Sequence, residues 1–310
     1  MFRIRWLLVM LLVVWMAGCA KIVFVSQRDG QEQIYSMRID GGVQSNLSGN
    51  QFSERFPDAS PDGKKIAFSS DRDGVGENIF IMDIDTGSVQ QLTSGAHRKF
   101  RPQWSPQQDR IAYAGYSSGE GAAIFVKPLN GGAVIQVTRP DPDHSDSLGH
   151  AFYDSGTKVI FARVNTSQGG SGLYSKNADG TGEAVRILNT STPATYPTIS
   201  HNGQLLAYRV KGHMTGPGAP EWIRVHQVGS WQKLAEFQLQ APVPGLGPNI
   251  RGITFSKEDD RLYVAARAAD AASGGNNRLE IFSVKLDGSG QKRLTNNTAY
   301  DAWPSAVPLP

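Results

Sequence analysis

A chain of 310 residues, 39% of them hydrophobic, has enough apolar material for a sizeable core, and an all-β architecture of this length forms a single domain. The formal charge of +3 includes Arg3 and Arg5 of an N-terminal leader; without those two the 31 basic residues fall to 29, against 28 acidic ones. That balance supplies no global field for steering a polyanion, which argues against nucleic acid as a partner. The only cysteine, Cys19, excludes an intramolecular disulfide and a thiolate metal site.

The leader itself is informative. Arg3 and Arg5 precede an apolar run from Trp6 to Met16, too short to span a bilayer comfortably but right for a signal-peptide core. Small residues follow at Ala17 and Gly18, and Cys19 then offers a thiol for diacylglyceryl transfer. Met16 to Cys19 resembles a bacterial lipobox, with Met16 where Leu is commoner. The resemblance implies a signal peptide over 1–18 and a mature chain over 19–310 held in the cell envelope by lipid on Cys19. Ala20 stands where an inner-membrane retention signal carries Asp, which implies the outer membrane, facing the periplasm.

After Lys21 the chain repeats one unit. The clearest copy runs from Phe56 to Thr93, FPDASPDGKKIAFSSDRDGVGENIFIMDIDTGSVQQLT. It reads as four short strands joined by an SPDG turn, a polar loop and a DTG turn, the signals of an antiparallel meander. Apolar residues at adjacent positions in IFIM require cover on both faces, and only neighbouring copies of the unit provide it. In chain order the first copy, KIVFVSQRDGQEQIYSMRIDGG, starts at its second strand. The third, fourth, fifth and sixth begin near Arg101, His150, Tyr196 and Ile253, and Ala302–Val307 matches the start of a unit and stops. That leftover strand supplies the one missing from the first copy. The expected fold is therefore all-β, a six-bladed β-propeller of four-stranded antiparallel blades closed by the C-terminal strand, which removes free sheet edges.

The motif Pro-x-x-Ser-Pro-Asp-Gly-x-x-Ile-Ala-Phe, then Ser-x-Arg-Asp-Gly, Ile-Phe, Asp-x-x-Thr-Gly and Gln-Leu-Thr resembles the repeat of the TolB-type six-bladed propellers, over nearly all of the chain after Cys19. The family's namesake carries an N-terminal α/β domain before its propeller. Here the repeats start within a few residues of Cys19, so that domain is not expected. The resemblance implies a fold more than a function, since this repeat serves binding modules, lyases and the propeller caps of serine peptidases.

Turns between first and second strands and between third and fourth strands share one face of such a fold, and they are short: SPDGKK, PQQDR, HNGQ, DTGS. Their Gly, Asn and Asp residues serve tight reversal. The opposite face collects longer segments, at 51–55, 96–101, 140–149, 211–221, 242–251, 267–277 and 296–303, and long loops on a rigid scaffold are where binding concentrates. At its channel mouth the expected partner or ligand residues are Arg55, Lys99, Arg101, Tyr196, Arg251, Asp301 and Trp303, a mixture of arginine and aromatic side chains suited to interface anchors. Phe56, Tyr196 and Trp303 also occupy equivalent repeat positions, so inter-blade packing is a second reading for them. A lipid on Cys19 would sit at the short-turn face, leaving the long loops pointing away from the membrane.

Enzymatic chemistry finds less support. His97, His144, His150 and His213 fall on or near the loop face, and a metal-dependent polysaccharide lyase resembling the oligogalacturonate lyases would draw on such imidazoles, but nothing in their spacing requires convergence. The run from Pro140 to Asp146 brings three carboxylates into one loop without the pattern of a calcium loop, and reads as solvated. There is no GxSxG nucleophile elbow. The expected function is a non-enzymatic envelope module, without cofactor or metal, that binds a protein or glycan through its long-loop face. The alternative is a metal-dependent, oligogalacturonate-type lyase or a related propeller enzyme.

Overall fold

A computed structural model describes residues 20–116, 121–139, 143–146, 148–165, 171–188, 190, 193–212, 219–239, 247–268 and 278–308. The leader, Cys19 and His213 lie outside these residues. The first strands are β1 (Lys21–Ser26), β2 (Gln33–Arg38) and β3 (Ser45–Asn46). The second unit holds β4 (Glu54–Ala59), β5 (Lys65–Ser70), β6 (Asn78–Asp83) and β7 (Val89–Gln91). The third holds β8 (Lys99–Trp104), β9 (Arg110–Gly115), β10 (Ala123–Pro128) and β11 (Ile135–Gln136). The fourth consists of β12 (His144–Ser145), β13 (His150–Tyr153), β14 (Lys158–Asn165), β15 (Ser171–Asn177) and β16 (Val185–Leu188). The fifth is β17 (Ala194–Ile199), β18 (Leu205–Lys211), β19 (Glu221–Gln227) and β20 (Lys233–Phe237); the sixth is β21 (Ile253–Phe255), β22 (Arg261–Arg267), β23 (Leu279–Lys285) and β24 (Lys292–Arg293). Last comes β25 (Asp301–Val307).

These strands make six antiparallel sheets, and β25 is the innermost strand of the first, in the order β25-β1-β2-β3. Its pairing with β1 runs from Lys21 opposite Val307 to Ser26 opposite Asp301. The expected six-bladed propeller with terminal closure is what the chain forms. One blade differs in detail: the fourth has a split inner strand, with both β12, which ends at Ser145, and β13, which starts at His150, pairing to β14.

The core is distributed between blades. Six buried apolar clusters each join two neighbouring sheets. Because side chains alternate along a strand, Ile66 and Phe68 of β5 pack toward the first blade with Val23 and Ile34, whereas Ala67 packs toward the third with Trp104 and Ile111. This is why the second and third strands of each unit read as continuous apolar runs.

Three blades share a polar staple within this apolar frame. Arg72 lies over the rings of Phe68 and Phe80, each 5.1 Å away, and its guanidinium donates to the fully buried Glu54 on the inner strand. Arg28 repeats the arrangement over Tyr35, 4.4 Å away, with Asp301 at 3.3 Å. Arg163 does so between Phe161 and Tyr174, holding Asp146 through two bonds of 2.8 and 2.9 Å. Arg72 therefore pairs across the blade with Glu54, not with Asp71 or Asp73 in its own turn. Asp146, read from sequence as part of a solvated acidic loop, is fully buried because Arg163 neutralises it.

Candidate functional site

The inner strands carry the element that shapes the channel. Opposite β5, Arg55 pairs with Ser69 and Asp58 with Ala67, so the inner strand spends one residue more than its partner. The same shift occurs on β8, β17 and β25. This is a β-bulge, and its extra residue adopts a left-handed conformation: Phe56 (φ 53°), Arg101 (55°), Tyr196 (55°) and Trp303 (49°). Each is followed by proline, which lacks the N–H that a ladder would need. The two remaining blades use Gly149 (φ 114°) and Gly252 (φ 147°) instead. A Cβ on Gly149 would stand 2.9 Å from Tyr196 Cα, and one on Gly252 3.0 Å from Trp303 Cα. Close backbone approach thus reinforces the conformational need for glycine. Left-handed geometry at four non-glycine residues costs about 1 kcal/mol apiece, and the surrounding rings hold it in place.

The four bulge side chains meet at the axis and form a neck. The rings of Phe56 and Trp303 are 4.4 Å apart, and the Arg101 guanidinium lies 4.4 Å from the Phe56 ring and 4.8 Å from the Tyr196 ring. Gly149 leaves the gap across which Arg101 reaches Tyr196. A cavity of about 110 Å³ remains at this level, lined by Arg101, His150, Tyr196, Trp303 and backbone of the two glycines. Several buried polar atoms there have no hydrogen-bond partner: Arg101 Nε, Trp303 Nε1 and both ring nitrogens of His150.

Around the neck, Arg55 bridges Glu32 and Glu77, Arg98 also pairs with Glu77, and Arg209 lies 3.6 Å from Glu221. Arg101 and Arg251 have no carboxylate within ion-pair distance among the described residues. Burial alone would raise the Tyr196 phenol, but the charges of Arg101, Arg209 and Arg251 hold it below its ordinary value. Burial lowers Arg101 itself, with Tyr196 opposing. Burial likewise raises Glu32 against the pull of Arg55.

Of the residues singled out from sequence, Arg101, Tyr196, Arg251 and Trp303 come together here, with Arg55 tied into the adjoining ion-pair network. Lys99 turns outward, its ammonium bound to the carbonyls of His97 (2.8 Å) and Gly95 (3.4 Å). Asp301 is fully buried, held by Arg28 and by Asn297 at 2.7 Å, and so belongs to the blade wall. His97 is exposed on its loop and His144 is half-buried on β12, while His150 is only 5% exposed and burial pushes its imidazole down to about 4. No group of three His, Cys, Asp or Glu side chains gathers as a metal site among the described residues.

Sequence reasoning missed Arg209, which reaches the neck from β18, and it missed the space on the opposite face. Beneath the neck, Asp58, Gln103, Thr198, Thr254 and Ser305 form a polar ring that floors a funnel of about 490 Å³, opening among the short turns. Its polar atoms largely stitch blades together. Asp58 Oδ2 accepts from Trp104 N (2.8 Å), Gln103 Oε1 from Phe152 N (3.1 Å) and Ser305 Oγ from Ala59 N (3.0 Å). These bonds satisfy amides that the inner strands, each at the edge of its sheet, point toward the axis and away from the ladder. Burial raises the Asp58 carboxyl to about 7, with Trp104 N–H and the Ser305 hydroxyl opposing.

The family profile described as the TolB beta propeller domain matches residues 44–217, more than half of the chain. The chain belongs to the TolB β-propeller family. Among solved structures it is similar to TolB from Acinetobacter baumannii, at 17% identity over 93% of this chain and 67% of that one, with a TM-score of 0.71. A putative TolB from Agrobacterium tumefaciens matches at 14% identity over 94% of this chain and 99% of that one, TM-score 0.65. Hydrazine synthase from Kuenenia stuttgartiensis matches at 13% identity over 93% of this chain and 47% of that one, TM-score 0.69. At these identities the likeness is one of fold, and the TolB-type propeller is evidently shared by proteins of different activity. No curated protein matches the chain.

Proposed function

We propose that this TolB-type propeller is a non-enzymatic module of the cell envelope that docks a protein or glycan through its long-loop face, tethered by lipid on Cys19. The observation that carries the reading is the neck. Arg101, Tyr196 and Trp303 converge with Phe56 on one axis, while Arg101 and Arg251 have no carboxylate within ion-pair distance among the described residues. Aromatic and arginine side chains grouped on a rigid frame, with charge left over, are typical energetic anchors. The start of the fold supports the orientation: Ala20 O accepts from Ile39 N beside the β2–β3 turn, so the chain enters at the short-turn face. An anchor there leaves the opposite face toward the envelope space.

Replacing Arg55, Arg101 and Arg251 together by Glu is expected to abolish capture of the partner in a crosslinking pull-down from intact envelopes, by at least tenfold. The thermal transition of this variant is expected to fall, because Arg55→Glu sets a third carboxylate beside Glu32 and Glu77 and Arg101→Glu removes a guanidinium packed on two rings, so capture is read below that transition and alongside Arg251→Glu alone, at an exposed position. Undiminished capture by the triple variant would reject the loop-face assignment. For the anchor, Cys19→Ser is expected to release the protein from membrane fractions or to leave it unprocessed. An unchanged partition would remove lipidation from the proposal. Among the described residues, His97, His144 and His150 do not gather into a metal site of the kind the lyase reading needs.

A further inference from the structure

Among the described residues, the five guanidinium groups of Arg55, Arg98, Arg101, Arg209 and Arg251 stand against the three carboxylates of Glu32, Glu77 and Glu221, and no ion pair reaches Arg101 or Arg251. Both of these cations, together with Arg209, act on the Tyr196 hydroxyl. A buried guanidinium nitrogen without a partner is costly, and here the buried Nε–H of Arg101 and Nε1–H of Trp303 make no hydrogen bond and lie in the lining of a cavity whose one carboxyl among the described residues is Asp58. His150, nine-tenths buried in the same lining, adds no negative charge. Asp58, the carboxyl lining the cavity, is already taken up by Trp104 N and Ser305 Oγ. The field, the donors and the empty volume all call for the same thing, an anion.

The shape of the site narrows the kind. The rings of Phe56 and Tyr196 lie against the guanidinium of Arg101, leaving its edge as the donor surface. An edge presents coplanar N–H groups, the geometry that matches a planar carboxylate, whereas a tetrahedral oxyanion calls for donors from several directions. A cavity of about 110 Å³ accommodates one such group and little more. Arg251, exposed at the loop side, stands where the rest of the ligand would enter. We propose that the neck is a receptor for a single carboxylate, received by Arg101 and Arg251 with Tyr196 and Trp303 as neighbouring donors, and presented by an acidic side chain or free C-terminus at the loop face. The inference deepens the docking function proposed above and rests on it for the direction of approach.

The test uses the processed full chain and short probes, followed by titration calorimetry. A capped pentapeptide with a central Glu, its Gln counterpart, the Gln peptide with a free C-terminus, acetate and inorganic phosphate make up the set. At least tenfold tighter binding of the Glu peptide than of its Gln counterpart is expected, weakening as salt is raised. Preference for the free C-terminal peptide over the Glu peptide would identify the terminal carboxylate as the source; acetate binding as tightly as either would identify a small free carboxylate. Arg251→Gln, at an exposed position, and Arg101→Met should each remove the preference. A second readout is independent of affinity: occupancy should raise the alkaline titration of Tyr196, read as the ultraviolet difference between the parent chain and Tyr196→Phe. Equal binding of Glu and Gln peptides, tighter binding of phosphate, or an unchanged preference in Arg251→Gln would overturn the inference. Partner capture without any carboxylate preference would sink this inference alone, whereas carboxylate binding with undiminished capture by the triple Glu variant would sink the loop-face function instead.

Discussion

A chain ending at Tyr300 is expected to lose its cooperative unfolding transition altogether. Removing β25 strips the first blade of its inner strand and uncovers Ile22, Phe24, Tyr35 and Met37, whose cluster includes Ala302 and Ala306. It also leaves Arg28 without Asp301, and Ala59 N without the Ser305 hydroxyl. At about 25 cal/mol per Å² of apolar surface, the lost burial alone is on the order of 5 kcal/mol, comparable with the whole stability of an ordinary domain. The exposed edge of β1 would then be open to non-native pairing. A synthetic peptide of residues 301–308 supplied in trans should restore the transition by strand addition. Circular dichroism melts of the truncated chain, with and without peptide, decide the matter. A melting temperature within a few degrees of the parent would show that closure contributes little.

The second large effect concerns pH, because two buried groups of opposite kind sit close to the channel. The Asp58 carboxyl is raised to about 7 by burial, so the folded state binds a proton that the unfolded chain has released, and stability falls as pH rises from about 4 to 7. His150 is lowered to about 4 by burial, so the unfolded chain binds a proton that the folded state refuses, and stability rises with pH from about 4 to 6.5. The two ramps are worth on the order of 4 kcal/mol for Asp58 and 3 kcal/mol for His150, and between pH 4 and 6.5 they oppose with the same slope. The parent chain is therefore expected to show nearly constant urea midpoints over that interval. Asp58→Asn should unmask the rising ramp, and His150→Phe the falling one, to which the raised Glu32 adds in the same sense. Parallel curves for the two variants would show that neither group titrates as its surroundings dictate.

Much of the fold was legible because its cause is local and repeated. Adjacent apolar residues in β5 and β6 demanded cover on two faces, and the half-unit at Ala302–Val307 had one place to go. The site was legible only in part. Arg101, Tyr196, Arg251 and Trp303 were found by position in the repeat, yet the device that brings them together is a backbone conformation. Its trace was present in Phe56-Pro57, Arg101-Pro102, Tyr196-Pro197 and Trp303-Pro304, with Gly149 and Gly252 in the remaining copies, but a dipeptide does not announce the sign of φ. Partners across a blade were harder still. Glu54 with Arg72, and Asp146 with Arg163, are neutralised through contacts that turn composition alone reads as solvent-facing, and Arg209 reaches the neck from the middle of a strand.

The ring of bulges separates what the scaffold requires from what the axis displays. A positive φ at positions 56, 101, 149, 196, 252 and 303 is common to all six blades, while the residues there are phenylalanine, arginine, glycine, tyrosine, glycine and tryptophan. The frame thus behaves as a six-character dial: each blade contributes one character to the same small circle, and the fold tolerates characters as unlike as an indole and a guanidinium. Two settings are blank in this chain, and those blanks place the positive character beside the phenol. Rewriting the dial at Arg101 or Tyr196 would change what the neck accepts, whereas Phe56 and Trp303 also pack against inter-blade clusters and the two glycines have no room for a side chain.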